Sequence, residues 1–231
     1  MIRYHKGPAP RRLTDLAATP GSSWDALGAE DRNVIREALV RDQGALCAYC
    51  QRRIRTDRAD TTGAVQMKIE HWIPRSESAE HHFRWTNLLG VCMGTTAAVD
   101  SAEPGPVRHC DTSRGNARLF LHPVAGQGPD PRAHVRYTGA GRIEADPADE
   151  RVASDLRALN LNAAPLRRGR EAVLDGIHRR LASLTRPQEV LAELRRLARA
   201  HEINSGVTAP EHAELVRYWV AKRIRRAAAG T

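Results

Sequence analysis

The chain has 231 residues and a mass of 25.5 kDa, which suffices for one compact core but not for two large domains. Its 36 Lys and Arg against 27 Asp and Glu leave a net charge of +9, and most of the cations are Arg, which favours a polyanionic partner. A GC-rich genome produces a similar excess of Arg, so charge alone is weak evidence for nucleic acid. No stretch approaches 18 apolar residues and the N-terminus lacks the apolar run of a secretory signal, so we expect a cytosolic protein without a membrane association.

The first predicted elements are an irregular arm and a helix. Residues 1–22 are punctuated by Pro, Gly and Ser, which predicts an extended arm outside the core. Ile35, Leu39 and Leu46 then fall on a helical spacing, with Asp31 as a plausible cap and Gly44 as a plausible stop. We therefore expect a helix that delivers the chain to the first cysteine.

The middle of the chain changes character. From Cys47 to about Leu121 the helical spacing fails, and the β-like segments AVQMKIEHWI and TNLLGVC alternate with polar loops, including the Gly- and Pro-rich MGTTAAVDSAEPGPVR. The segment HVRYTGAGRIEADP then predicts a hairpin, with Val135 and Tyr137 before its turn and Ile143 after it. This irregular region is the one that carries candidate chemistry.

After Pro147 the apolar residues return to three- and four-residue steps, which predicts three or four helices up to the end of the sequence. The fold class is therefore α+β and mostly helical. We divide the chain into an N-terminal arm (1–22), a module that bears the candidate chemistry together with its leading helix (23–146) and an Arg-rich helical region (147–231).

Four cysteines in a cytosolic protein point to a metal or a catalytic thiol rather than to disulfides. Cys47 and Cys50, in CAYC, have the spacing of a zinc knuckle, and Cys92 and Cys110 are the only others. The long polar loop between the last two closes at small entropic cost. We predict a four-cysteine structural Zn²⁺ site over the alternative of one knuckle plus two core cysteines. A thioredoxin-like role is less favoured, because no βαβ pattern surrounds CAYC.

A second group of residues has the chemistry for phosphodiester hydrolysis, which needs a base for water and a cation held by oxygen ligands. Glu70 and His71 are adjacent in KIEHWIPRSES, while Asn87 and Asp111 lie near the third and fourth cysteines, so a shared zinc would gather them. His71 is the candidate base, and Asn87 is a candidate for orienting that His or its loop. Glu70 and Asp111 are candidate ligands for Mg²⁺ or Mn²⁺.

The order C-x-x-C, acid-His-x-x-Pro, Asn-Leu-Leu-x-x-Cys, Cys-Asp-x-x-Arg-Gly resembles that of HNH endonucleases with the ββα-metal fold. More narrowly, LCAYCQRRI, KIEHWIPRS, NLLGVC, HCDTSRGN and LRALNLNAAPLRRGR resemble the PtuB-type HNH nucleases of Septu antiviral systems, which also accompany some retrons. The similarity covers about residues 24–185. It implies a zinc-stabilised ββα-metal (HNH) module flanked by α-helices, with His71 as general base and Asn87 as the middle Asn. It also implies that Glu70 and Asp111 hold the catalytic ion.

The same resemblance implies a nucleic-acid substrate, with DNA favoured over RNA, and a partner ATPase of the Septu PtuA type. Two positions depart from the family pattern: Asp111 stands where many members carry Asn or His, and Arg114 stands where Lys is frequent. A carboxylate still binds a hard cation, and Arg keeps a charge for phosphate. Arg75, Arg114 and Asn116 are predicted to contact the substrate. Three other histidines are expected to be solvated or near the substrate without a chemical role: His81, His82 and His109.

Residues 165–226 hold 14 Lys and Arg against 7 Asp and Glu, and these basic helices could bind phosphates, form a solvated face or dock a partner protein. The leading prediction is a metal-dependent HNH endonuclease that serves an antiphage defence system. One alternative is an RNase, for example one that cleaves tRNA. The other is a non-catalytic zinc-knuckle module that binds nucleic acid or protein, in which Glu70 and His71 only brace the fold.

Overall fold

The computed structural model describes residues 1–56, 67–96 and 105–229, with side chains described as far as residue 227. The helices in these ranges are α1 (Arg11–Ala18), α2 (Ala29–Asp42), α3 (Asp111–Arg114), α4 (Pro131–His134), α5 (Glu150–Ala158), α6 (Ala164–Ala182), α7 (Pro187–Ala200) and α8 (Ala213–Ala229). The strands are β1 (Lys68–His71), β2 (Leu88–Val91), β3 (Thr95–Thr96), β4 (Val107–Arg108), β5 (Val135–Tyr137) and β6 (Ile143–Ala145). They pair in order as three antiparallel two-stranded sheets, which confirms a mostly helical α+β fold.

The N-terminal segment belongs to the core, so the prediction that residues 1–22 lie outside it was wrong. Met1, Ile2 and Tyr4 are at most 1% exposed, and Leu13 of α1 is fully buried. The backbone N–H of Ile2 donates to the cysteine knuckle, and that of Tyr4 donates to the segment before α4. The Pro and Gly residues make the backbone irregular, but the apolar side chains between them still gain free energy from burial.

Helix α2 is the helix predicted before the first cysteine, and it buries Ile35 and Leu39. It begins after Gly28 rather than at Asp31, whose carboxylate lies in the first turn and complements the positive end of the helix dipole. The helix stops two residues before Gly44, whose φ of 60° is the left-handed conformation that glycine adopts without strain. The predicted stop at Gly44 is therefore confirmed, and the predicted cap at Asp31 is not.

Strands β1 and β2 form the sheet that holds the candidate site, with Glu70 opposite Leu89 and His71 opposite Leu88. Gly90 of β2 lies against the Gln43 side chain, which accepts a hydrogen bond from the Gly90 N–H at 2.7 Å and donates one to its carbonyl at 2.8 Å. This clamp fastens β2 to the end of α2. Further along the chain β3 and β4 pair across a loop whose residues 97–104 lie outside the described ranges, and α3 follows directly.

The predicted hairpin and C-terminal helices are confirmed, the hairpin as β5 and β6 and the helices as α5 to α8. A second apolar cluster joins the last three helices, and its buried members are Ile177, Leu181, Leu194, Leu197, Val216 and Val220. Within the described residues, no helix combines the length and the apolar character needed to cross a membrane. The division of the chain at residues 22 and 146 stays a prediction.

Candidate functional site

The structure brings all four cysteines together. Their sulfur atoms lie within 4.8 Å of one another, with 3.9 Å between Cys47 and Cys110 and 3.7 Å between Cys50 and Cys92. Four thiolates held tetrahedrally at about 2.3 Å from one Zn²⁺ would have sulfur atoms about 3.8 Å apart. The cluster is therefore consistent with a structural zinc site, and the alternative with two separate core cysteines does not describe these positions.

Two ligand-bearing turns have left-handed backbone conformations, at Gln51 (φ 67°), which follows the knuckle, and at Cys110 (φ 54°). Such conformations cost free energy in residues with a side chain and persist where surrounding contacts fix them. At Gln51 the contacts are visible: its Nε2 donates to the Tyr137 hydroxyl at 2.8 Å, and its Oε1 accepts from the Glu214 backbone N–H at 2.9 Å. One side chain thus ties the knuckle to both β5 and α8.

His109 is buried against the cysteine cluster, so the expectation that it is solvated or near the substrate was wrong. Its Nδ1 is 3.2 Å from the Cys110 Sγ and 3.9 Å from the Cys92 Sγ, and the residue is fully buried. An N–H donated to a thiolate disperses the negative charge that a four-thiolate site accumulates. The available sequence signal was the position of His109 directly before a ligand.

Strand β1 presents its side chains to two faces, because successive residues of a strand point in opposite directions. Lys68 and Glu70 face α3, where the Lys68 Nζ is 3.2 Å from the Asp111 Oδ2 and Glu70 forms an ion pair with Arg114. His71 contacts other elements, and no hydrogen bond joins it to either carboxylate in the described part of the chain. The structure thus brings Glu70 to Asp111 and places His71 on the other side of the strand.

The carboxylates of Glu70 and Asp111 lie close enough to repel each other. Burial raises the pKa of Glu70 to about 8, the Asp111 carboxylate adds to this rise, and Arg114 opposes it. The Tyr49 hydroxyl lies 3.3 Å from the Glu70 Oε1. Mg²⁺ characteristically binds through one or two carboxylates and keeps several waters, so this donor set fits such an ion. Each carboxylate also has a protein cation beside it, an arrangement that equally suits an internal ion-pair cluster.

His71 is held as a neutral imidazole. Its ring packs against Trp24 with 4.4 Å between centroids, and burial lowers its pKa to about 4. The His71 Nε2 lies 3.1 Å from the carbonyl oxygen of His82, which can only accept, so the proton is assigned to Nε2. The Nδ1 atom makes no hydrogen bond to any residue that the structure describes, so its lone pair is uncommitted.

Asn87 fastens both ends of the loop that follows β1. Its Oδ1 accepts from the Ile73 N–H at 2.6 Å, and its Nδ2 donates to the carbonyls of Ile73 at 3.3 Å and His81 at 3.0 Å. Since His82 follows immediately, the amide also fixes the carbonyl that holds the His71 ring. This geometry suits the predicted role of Asn87 in orienting the loop.

No protein-family model matches the chain. Over 125 residues it is 30% identical to an Escherichia coli protein named "Retron Ec83 putative HNH endonuclease". The chain is a distant homologue of that protein. The match covers 50% of this chain and 46% of the relative, so the chain spans about half the length of the curated relative it matches. The similarity supports the HNH class and leaves the Septu assignment a prediction.

The residues predicted to contact substrate have different environments. Arg114 is 4% exposed, and its guanidinium donates to the Tyr49 hydroxyl and to backbone carbonyls besides pairing with Glu70. Arg75 and Asn116 are both exposed, and the Arg75 Nη2 lies 2.6 Å from a carboxylate oxygen of Asp25. The geometry gives Arg114 a bracing role within the site and leaves Arg75 and Asn116 accessible to a ligand.

Proposed function

We propose that the chain is a metal-dependent HNH endonuclease that hydrolyses phosphodiester bonds of nucleic acid, with DNA as the favoured substrate. The observation that carries this proposal is the state of His71, a neutral imidazole whose Nε2 is engaged by the His82 carbonyl while Nδ1 makes no hydrogen bond within the described residues. Distant homology to an HNH endonuclease supports the class. The β1–β2 pair precedes the short helix α3, with β3 and β4 between them, and this order also suits a ββα-metal module.

In this proposal the Nδ1 atom of His71 accepts the proton of the attacking water, which is the work of a general base. Asn87 positions the loop whose His82 carbonyl orients the imidazole. Glu70 and Asp111 would hold Mg²⁺ or Mn²⁺, which when bound supplies positive charge against the phosphate and the leaving oxygen. Zn²⁺ at the cysteine cluster would hold β2, α3 and the knuckle together.

Two protein cations occupy carboxylate oxygens that a divalent ion would use, Arg114 at Glu70 and Lys68 at Asp111. Arg114 is sealed within the site, whereas the Lys68 side chain is 36% exposed and pairs only with Asp111 among the described carboxylates. Lys68 is therefore the partner that would move aside when a divalent ion binds. Replacement of Lys68 by a divalent ion is expected only if the site is enzymatic. It is not expected if the two carboxylates and their two protein cations only stabilise the fold.

The proposed setting is an antiphage defence system in which this chain is the nuclease effector and an ATPase of the PtuA type is its partner. The resemblance to PtuB-type nucleases supports this setting, as does the retron after which the Escherichia coli relative is named. Co-expression of the chain with a neighbouring ATPase gene should yield a complex on affinity purification. If the His71→Ala variant still protected cells against phage, the proposal that this chain is the nuclease effector would be wrong.

The direct test is cleavage of plasmid DNA, single-stranded DNA and RNA, including tRNA, with and without the partner and across a series of divalent metals. We expect cleavage of DNA with Mg²⁺ or Mn²⁺ and its loss in His71→Ala. Unchanged cleavage by that variant would show that His71 is not the base. Cleavage confined to RNA would favour the RNase alternative. The absence of cleavage by the wild type with its partner on every substrate would favour the non-catalytic zinc-knuckle module.

A further inference from the structure

The C-terminal half of α8 concentrates positive charge without carboxylate partners in the described part of the chain. Arg217, nearer the start of the helix, has the carboxylates of Glu202 and Glu214 within about 4 Å. Four further cations make no ion pair and no hydrogen bond within the described part of the chain, and they are Lys222, Arg223, Arg225 and Arg226. By contrast, Arg157 of α5 and Arg196 of α7, which are also on the surface, each lie beside a carboxylate. These four cations therefore keep their full capacity to bind an external anion.

Three of them border a groove between α8 and the β5–β6 hairpin. This groove, called the α8 groove below, has a volume of about 400 Å³, and its cationic lining is Arg136, Lys222, Arg223 and Arg226. The acid that lines it is Glu144, which pairs with Arg136 at 3.0 Å. The groove thus has a net positive lining and opens to solvent along an exposed helix face.

Aromatic rings hold two of the cations in place. The guanidinium carbon of Arg223 lies 5.1 Å from the centre of the Trp219 ring, and the Lys222 Nζ lies 6.0 Å from that of Tyr218. A guanidinium over an indole keeps its N–H edges free for phosphate oxygens. His178 contacts Trp219 as well, with 5.1 Å between ring centroids, so the indole is already occupied by protein groups.

The helix dipole explains the position of only some of the cations of α8. Cations in the last turn of a helix complement its dipole, and Arg226 lies in the last turn of α8. Lys222 and Arg223 precede that turn, and the dipole effect falls off within a single turn. Their position beside the groove needs another reason.

We propose that the α8 groove binds the sugar–phosphate backbone of duplex nucleic acid, independently of base sequence and outside the candidate catalytic site. The choice of nucleic acid as the polyanion rests on the proposed function. Binding at the groove itself requires neither His71 nor a catalytic ion. A duplex fits better than a single strand, because single-strand binding uses free aromatic faces for stacking and the Trp219 ring already contacts Arg223 and His178.

The test measures binding by the His71→Ala protein, so that cleavage does not interfere. The groove variant combines Lys222→Gln, Arg223→Gln and Arg226→Gln. Fluorescence anisotropy follows binding to a labelled duplex of mixed sequence between about 50 and 200 mM salt. Each lost phosphate contact should reduce the slope of log K against log salt by about 0.9, so the slope should fall by about 2 to 3, equally for unrelated sequences.

The matched control removes the same charge from arginines that have carboxylate partners, as Arg151→Gln, Arg157→Gln and Arg186→Gln. The control should keep most of the salt slope, although it also exposes three acids. Equal loss in both variants, or an unchanged slope in the groove variant, would overturn the proposal. So would unchanged duplex binding together with lost capture of the partner ATPase, which would identify a protein-docking surface.

Two further measurements keep the result interpretable. If the triple variant unfolds, the Lys222→Gln/Arg226→Gln pair leaves the Arg223 stack in place and should still reduce the slope by about 1 to 2. Cleavage by the wild type is scored separately. Groove-dependent duplex binding by a wild type that cleaves nothing would count against the nuclease proposal alone, and cleavage with an unchanged slope would count against the groove alone.

Discussion

The Nε2 atom of His71 is 3.1 Å from the backbone carbonyl oxygen of His82, and this one hydrogen bond sets which ring nitrogen carries the proton. A carbonyl cannot donate, so the free lone pair is placed on Nδ1. The carbonyl itself is held indirectly, since Asn87 donates to the neighbouring His81 carbonyl. The base and its support therefore come from β1 and from the end of the loop that follows it.

Asn87→Ala tests this support. Without the amide, the loop loses three hydrogen bonds and the imidazole loses its fixed orientation, so we expect kcat for DNA cleavage to fall by about 10²-fold with a smaller change in KM. Asn87→Asp keeps the acceptor for the Ile73 N–H but loses both donors, and it should be nearly as impaired. Zinc content should be unchanged in both variants. A wild-type kcat in Asn87→Ala would leave the loop without a role in catalysis.

Cys110→Ser tests the zinc site. Wild-type protein should contain one equivalent of zinc by elemental analysis, and the variant should lose that metal together with several kcal/mol of stability, because metal binding free energy is folding free energy. A chelator should lower the melting temperature of the wild type and have little further effect on the variant. Retention of both the fold and one metal equivalent by Cys110→Ser would rule out the four-cysteine ligand set.

His109→Gln tests the imidazole beside the sulfurs. Outer hydrogen-bonding partners of metal ligands typically contribute about 10- to 100-fold in metal affinity, and we expect a loss in this range when zinc is titrated with a competing chelator. His201→Gln is the matched control, since His201 is another buried histidine whose Nδ1 bonds the Leu197 carbonyl in α7. Equal zinc affinities in the two variants would show that His109 only fills space.

His122 predicts a pH dependence of stability. Burial, reinforced by Lys6 and Arg3, lowers its pKa to about 4 in the folded chain, whereas the unfolded value is about 6.5. The unfolded state therefore binds more protons between these values. The contribution of His122 to stability is complete above about pH 6.5 and is lost as the pH falls toward 4, by about 1.4 kcal/mol per pH unit.

His122→Asn keeps an acceptor for the Val124 N–H but cannot titrate. Denaturant unfolding of wild type and variant should show a stability difference that favours the wild type near neutral pH and shrinks from pH 6.5 to pH 4. Comparing the two proteins cancels the acid-induced loss of zinc, which both share. A difference that stays constant with pH would contradict the lowered pKa.

Sequence patterns predicted the elements better than their contacts. The cysteine spacing predicted the cluster because the thiolates that bind one ion must lie close together. The spacing of apolar residues along the chain located the hairpin and the C-terminal helices. Met1, Ile2 and Tyr4 have no period, so nothing in their order showed that they enter the core. The pairing of Arg114 with Glu70 joins residues 44 positions apart and depends on where α3 packs. The division of Glu70 and His71 between two faces follows from strand geometry once β1 is assigned.

Gln51 connects the cysteine knuckle to two distant elements of the chain. Its side-chain amide hydrogen-bonds the Tyr137 hydroxyl of β5 and the backbone N–H of Glu214 in the first turn of α8. Loss of order in the knuckle on zinc removal would therefore weaken the contacts of both the first turn of α8 and strand β5. Removal of zinc from the cysteines should therefore speed amide hydrogen exchange in α8, the helix whose C-terminal cations have no carboxylate partner among the described residues.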